Sequence, residues 1–160
     1  MDDATFRRAV ASDAEEIAAV YLASRRAFVA FAPLAHSADE VRLWVAEELI
    51  PGGGVTVATR GAGEGPVIGM LAVSRGDDAG WIDQLYLLPS AVRRGLGAQL
   101  LDQAKAALGS PIRLYTFQEN SGARRFYERH GFRAIAFGDG SGNEENCPDV
   151  LYEWTAPASA

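Results

Sequence analysis

The stretch Ile82–Leu101, IDQLYLLPSAVRRGLGAQLL, sets the tightest limits on how this chain can fold. Ile82, Leu85, Leu87 and Leu88 are dense enough in apolar character for a buried strand of about 5–7 residues. Pro89 and Ser90 end it, because proline cannot donate to a ladder. Val92-Arg93-Arg94-Gly95-Leu96-Gly97-Ala98 then runs without a break into an apolar-periodic helix. A helix start preceded by glycine offers free backbone N–H groups and the positive end of a dipole, which suits phosphate. Gly95 and Gly97 lack a Cβ and are expected to let a ligand approach the backbone, with Arg93 and Arg94 adding positive charge. A strand–helix turn that needs its glycines only for tight packing remains the plain structural alternative. A dinucleotide-binding loop does not fit, since Leu100 stands where the third glycine would be and no βαβ unit surrounds the motif. The lysine and Ser/Thr of a triphosphate-binding loop are also missing.

At 160 residues the chain has the length of one domain, read as residues 1–155 with a loose tail at 156–160. Its net charge of −6 argues against nucleic acid as a partner and is compatible with a cationic substrate. No apolar run approaches 18 residues, so no membrane partner is expected. With a single cysteine, Cys147, there is no internal disulfide, and a cytoplasmic location is expected.

In chain order, Thr5–Ala9 reads as a first strand. Ser12-Asp13-Ala14-Glu15 reads as a capping box opening a helix with Ile17, Val20, Tyr21, Ser24 and Phe28 on one face. A second box, Ser37-Ala38-Asp39-Glu40, opens a helix with Val41, Trp44, Val45 and Leu49 inward, stopped by Pro51-Gly52-Gly53-Gly54. The apolar segment from Phe28 to His36 either walls a pocket or covers a sheet edge. Val55–Arg60 and Val67–Arg75 read as two antiparallel strands. After the central unit, whose helix carries Leu100, Leu101, Ala104 and Leu108 on one stripe and ends at Gly109, Ile112–Thr116 is another strand. Asn120 caps a helix running to about His130, and Phe132–Phe137 and Val150–Trp154 are two last strands flanking the polar loop Gly138–Asp149. This order, β-α-α-β-β-β-α-β-α-β-β, favours a mixed α/β sheet covered by helices.

Two segments together resemble the GCN5-related N-acetyltransferase (GNAT) family. The first is Leu85-Tyr86-Leu87 with Arg93-Arg94-Gly95-Leu96-Gly97-Ala98, similar to the family's pyrophosphate loop Q/R-x-x-G-x-G/A; Val92 departs from the Gln or Arg of that pattern. The second, Asn120 to Phe132, is similar to N-x-x-A-x-x-x-Y-E-x-x-G-F. The resemblance implies a mixed, mostly antiparallel sheet splayed at its centre, between the strands at Leu85–Leu87 and Ile112–Thr116, and flanked by about four helices. It implies acetyl-CoA as cosubstrate, with its pantetheine arm in that gap and no metal. The cofactor contacts it implies are Leu85, Tyr86 and Leu87 on the strand, Arg93, Arg94, Gly95, Leu96, Gly97 and Ala98 in the loop, and Asn120, Ala123 and Phe126 on the later helix.

The implied reaction is direct acetyl transfer to an amine of a small molecule or peptide. At pH 7 only roughly one alkylamine in 2,500 is unprotonated, so something must accept a proton. The resemblance gives Tyr127 the role of general acid near the sulfur, and a phenol of ordinary pKa about 10 carries the proton to donate. Asp83 is the candidate base, with Tyr86, Glu119 or a water chain as alternatives. His36 and His130 read as structural, and Arg124, Arg125 and Arg129 as a solvated helix face. Cys147 has no attendant base, and the segment from Asp139 to Glu144 lacks the glycine of a calcium loop. A non-catalytic acyl-CoA-binding module of the same fold, an acyltransferase for longer acyl groups, and a homodimer through the late strands all stay open.

Overall fold

The computed structural model describes residues 4–32 and 34–157. Pro33, within the apolar segment, and Ala158–Ala160, within the expected tail, lie outside the described residues. Strand β1 is Ala4–Arg8, followed by helix α1, Ala14–Phe28, and helix α2, Ala38–Trp44. Three strands follow, β2 at Val55–Arg60, β3 at Val67–Arg75 and β4 at Gly80–Leu87. Helix α3, Leu96–Leu108, leads to β5, Ile112–Phe117, and helix α4, Ser121–Arg129, leads to β6, Arg133–Gly138, and β7, Asp149–Trp154. No helix among the described residues is long and apolar enough to cross a membrane.

The seven strands form one sheet in the order β1-β2-β3-β4-β5-β7-β6. Every pairing is antiparallel except β4–β5, whose connection through α3 makes it parallel. That pairing holds only at Gly80↔Ile112 and Trp81↔Arg113, after which the two strands part. The sheet is therefore mixed, mostly antiparallel and splayed at its centre.

Each face of the sheet has its own core. On one side Leu100, Leu101 and Ala104 of α3 and Tyr127 of α4 pack on Leu71, Ile82, Leu114 and Tyr152. The stripe expected on α3 is fully buried. On the other side Ile17, Val20 and Val41 cover Val57, Met70 and Ala72. These helices stay on the sheet because burying each large apolar side chain contributes about 1.5–3 kcal/mol.

Two helix starts behave differently. At α2 the expected capping box is present: Ser37 Oγ accepts from Glu40 N (3.1 Å), and Glu40 accepts from Ser37 N (2.9 Å). At α1 it is not. Ser12 lies inside a 3-10 turn, Ala11–Asp13, and Asp13 takes over the start. The Asp13 carboxylate accepts from Val10 N (2.8 Å) and from both terminal nitrogens of Arg7 (2.8 and 2.9 Å). The Arg7 pair draws Asp13 inward and holds its carboxyl below its usual range. Phe28 also departs from expectation, 43% exposed, because α1 ends there. Past Trp44 the second helix widens into a π turn, Val45–Leu49, closed by Ile50 N to Val45 O (3.1 Å).

Candidate active site

The loop between β4 and α3 leaves the first amides of the helix without backbone partners among the described residues. Arg93 and Gly95 both have positive φ, 64° and 79°. Gly95 occupies the N-cap position in the left-handed region, with no side-chain cap. The helical ladder begins with Gln99 N on Gly95 O (3.1 Å), so the amides of Leu96, Gly97 and Ala98 have no intrahelical acceptor. A Cβ on Gly95 would meet nothing within 4 Å; the position needs glycine for its backbone angle and faces open space. At Gly97 a Cβ would lie 3.2 Å from the Phe126 ring. Its small size lets α3 pack on α4.

Helix α4 presents the second set of predicted residues. Asn120 Oδ1 caps it by accepting from Ala123 N (3.2 Å), and Asn120 Nδ2 has no partner among the described residues. Ala123 and Phe126 pack against the same core as Leu85 and Leu87. Tyr127 is 8% exposed, edge-on to Phe126 (5.2 Å between centroids) and Phe132 (5.6 Å). Its hydroxyl has no hydrogen-bond partner among the described residues, yet it is not sealed from solvent. Burial pushes its pKa well above the ordinary phenol value, with Tyr86 adding to the effect. Tyr127 therefore stays protonated at neutral pH. Arg124 is not simply solvated, because its Nε donates to Tyr152 Oη (3.0 Å).

On the opposite face of β4 a cleft of about 1100 Å³ opens between α1, α2, the far half of the sheet and the β6–β7 loop. A bulge shapes its wall. Ala72 pairs with Gln84 and Val73 with Ile82, leaving Asp83 as the extra residue. Asp83 and Gln84 thus both line the cleft, while Ile82 and Leu85 turn to the α3 core. Tyr86 also lines it, edge-on to Tyr21 at 4.9 Å, with its phenol raised to about 12 mainly by burial. A phenol that holds its proton so firmly is a poor base at neutral pH. Glu119 is exposed and outside the cleft lining. Asp83, exposed and without a cation partner among the described residues, is the carboxylate nearest along β4 to Tyr86.

Several cleft residues do not stand out in the sequence. The guanidinium of Arg25, buried on α1, lies 6.0 Å from the Tyr21 ring centroid and 5.8 Å from that of Phe117. It donates to Ala32 O (3.3 Å) and to Glu145 of the β6–β7 loop (3.1 Å). Its position beside the apolar face of α1, one turn after Tyr21, is the signal the sequence offers. His36 sits at the rim with Nε2 2.9 Å from Glu144 and Nδ1 3.6 Å from Glu40, and Glu144 raises its pKa most. Of the apolar Phe28–His36 segment, His36 lines the cleft, whereas Phe31 packs edge-on against Phe117 at 5.9 Å. Asn143 closes the loop, bonding Cys147 through both backbone groups and reaching Asp149.

A model of the acetyltransferase (GNAT) family matches residues 17–132. Solved structures share the fold at low identity. The apo form of YjaB from Escherichia coli is 19% identical with a TM-score of 0.77, over 97% of this chain and 99% of that one. The PaiA N-acetyltransferase from Thermoplasma acidophilum, in complex with coenzyme A, is 19% identical with a TM-score of 0.73, over 96% and 99%. Naa20 from Chaetomium thermophilum, in complex with a bisubstrate analogue, is 18% identical with a TM-score of 0.68, over 94% and 86%. No curated protein matches the sequence significantly.

Proposed function

The chain belongs to the acetyltransferase (GNAT) family, and from that premise we propose that it moves an acetyl group from acetyl-CoA directly to the amine of a small molecule or peptide. The observation that carries this reading is the opening of the sheet between β4 and β5. The three free amides of the α3 start adjoin it, Tyr127 packs beside its strands, and the cleft opens on the far face of β4. The residues present suit acetyl-CoA: a cap position with open space over Gly95 for a pyrophosphate, and Asn120 Nδ2 free to donate.

Acetyl-CoA, when bound, supplies an acyl carbon whose bond to sulfur breaks as its bond to the amine nitrogen forms, the electron pair leaving on sulfur. Tyr127 donates a hydrogen bond to that sulfur. Its raised pKa keeps the proton on the phenol throughout, so Tyr127 acts on the developing thiolate as a hydrogen-bond donor. Removing the amine's proton at pH 7 costs about 4–5 kcal/mol for an ordinary alkylammonium. Asp83, through a chain of waters, receives it, and the second proton that the nitrogen sheds on becoming an amide is taken up by the departing sulfur. A cytoplasmic location belongs to the same reading.

Thiol release from acetyl-CoA across a panel of amines and short peptides tests it. Wild type should turn over one acceptor class, and Tyr127→Phe should lose about a hundredfold or more in kcat while binding coenzyme A within about twofold of wild type. Tight coenzyme A binding with no release on any acceptor would replace the enzyme reading with a non-catalytic acyl-CoA-binding module.

A further inference from the structure

The negative charge of the chain is gathered in one place. Eight of its 21 acidic residues line the cleft, against one of its 15 Lys and Arg. The remainder carries 13 against 14 and is close to neutral. A concave surface lined by one sign of charge concentrates the opposite sign within it.

The carboxylates fall into two groups. Glu145 is paired to Arg25, and Glu144 and Glu40 to His36. Asp139 and Asp149 are bonded within the β6–β7 loop. Glu47, Glu48 and Asp83 have no partner among the described residues. Glu47 and Glu48 are consecutive on the π turn, and Glu48 and Asp83 meet again in a second recess of about 440 Å³ beside the first. Arg75 borders that recess, but its guanidinium donates to the carbonyls of Ala107 and Leu108.

A second observation comes from Arg25, nine-tenths buried in the same lining. Its Nε is the one buried side-chain polar atom among the described residues without a partner. A donor left unmet in a protein interior marks a place that lacks a lone pair. The guanidinium also interacts with the Tyr86 phenol, so this end of the cleft is a cationic, polar point that accommodates a neutral nitrogen rather than an ammonium. The positive charge of Arg25 beside Tyr86 favours that neutral form of an amine, whereas the unpaired carboxylates favour the charged form.

Resting on the acetyltransferase reading, we infer that the acceptor is a linear diamine or longer polyamine. The nitrogen that reacts lies toward Tyr86 and Arg25, and a second, protonated nitrogen is held by Glu47 and Glu48. Asp83, three residues from Tyr86 on β4 and so roughly 10 Å along the strand, stands between the two. The aromatic walls of Trp44 and Tyr21 line the path of the methylene chain.

The test compares a five-carbon diamine with pentylamine and with aminopentanoate, which differ only in the charge of the second end group. Calorimetry of binding and thiol release from acetyl-CoA are measured side by side. The diamine should bind at least about tenfold more tightly than pentylamine and aminopentanoate most weakly, with kcat/KM in the same order. E47Q/E48Q should lower the diamine-to-pentylamine ratio about tenfold. Glu48→Lys, at an exposed position where folding is not at risk, should move the preference toward aminopentanoate. Equal binding of all three, or a ratio unmoved by both variants, would overturn the inference even if the protein turns over. Selective diamine binding that the variants weaken, with no thiol release, would uphold it and overturn the acetyltransferase reading instead.

Discussion

Glu145→Ala should release the β6–β7 loop from the body of the protein at a cost of about 2–3 kcal/mol. The carboxylate meets Arg25 at 3.1 Å, and the two side chains are 15% and 7% exposed. At that distance and an effective dielectric near 20, the gross attraction is about 5 kcal/mol. Desolvation offsets much of it, yet removing one member of a buried pair typically costs about 3–5 kcal/mol because the other is left uncompensated. The loop can swing outward and admit water to Arg25, which brings the figure down. Arg25→Met keeps apolar volume between Tyr21 and Phe117 and leaves Glu145 free to reach water, so it should cost about 1–2 kcal/mol. The double variant should lose less than the sum of the singles, with a coupling of at least about 1 kcal/mol. Urea unfolding supplies the energies, and hydrogen exchange at residues 139–147 shows whether the loss is local. A coupling below about 0.5 kcal/mol, or unchanged exchange in the loop, would refute the idea that this pair fastens the wall of the cleft.

Three further outcomes follow from the site. Gly95→Ala should lose about 1–2 kcal/mol from the positive φ alone, since its Cβ meets nothing; Gly95→Asn should recover most of that, and equal stability of all three would contradict the assigned backbone angle. Gly95→Glu should fold and fail to bind coenzyme A, and unchanged affinity would remove the loop from the binding site. His36 has a raised pKa through Glu144 and Glu40, so its contribution to holding the loop is complete below its ordinary value near 6.5 and is lost as pH climbs through the raised value. Exchange in residues 139–147 should therefore quicken, beyond its intrinsic pH dependence, from about pH 6.5 upward; His36→Gln should abolish that component, and its persistence would assign the effect elsewhere.

What the sequence revealed and concealed divides along a physical line. Local rules found β2, β3, the cap at Ser37 and the buried stripe of α3, because alternation, capping and helical spacing are written within a few residues. The glycine loop and the tyrosine of α4 were legible as a pair of motifs. Where a partner far along the chain decides, the reading failed. Ser12 lost its cap role to Asp13, which Arg7 pulls inward from the preceding strand. Gly97 also answers to a ring 29 positions later, since Phe126 fills the space a Cβ would need. Arg25 has no acidic partner nearby in the sequence to single it out, since Glu145 stands 120 residues away in a loop that read only as polar. The concentration of unpaired carboxylates in the cleft follows from folding alone, because Glu47 and Glu48 carry no mark in the sequence and Asp83, read there as a candidate base, lies more than 30 positions from them.

The parting of β4 and β5 also bears on how a sheet of this kind keeps from pairing with other chains. A strand that loses its neighbour exposes unpaired amides and carbonyls, which elsewhere invite pairing with another chain and growth into aggregates. Here two such borders are created inside the sheet and face each other across a narrow wedge, closed at Trp81 and Arg113. A foreign strand would have to enter between them end-on, past α3 on one face, and could not add to either border from the side. The exposed ladder thereby has room only for something slender and extended, and the fold carries an unpaired edge at its centre rather than at its rim.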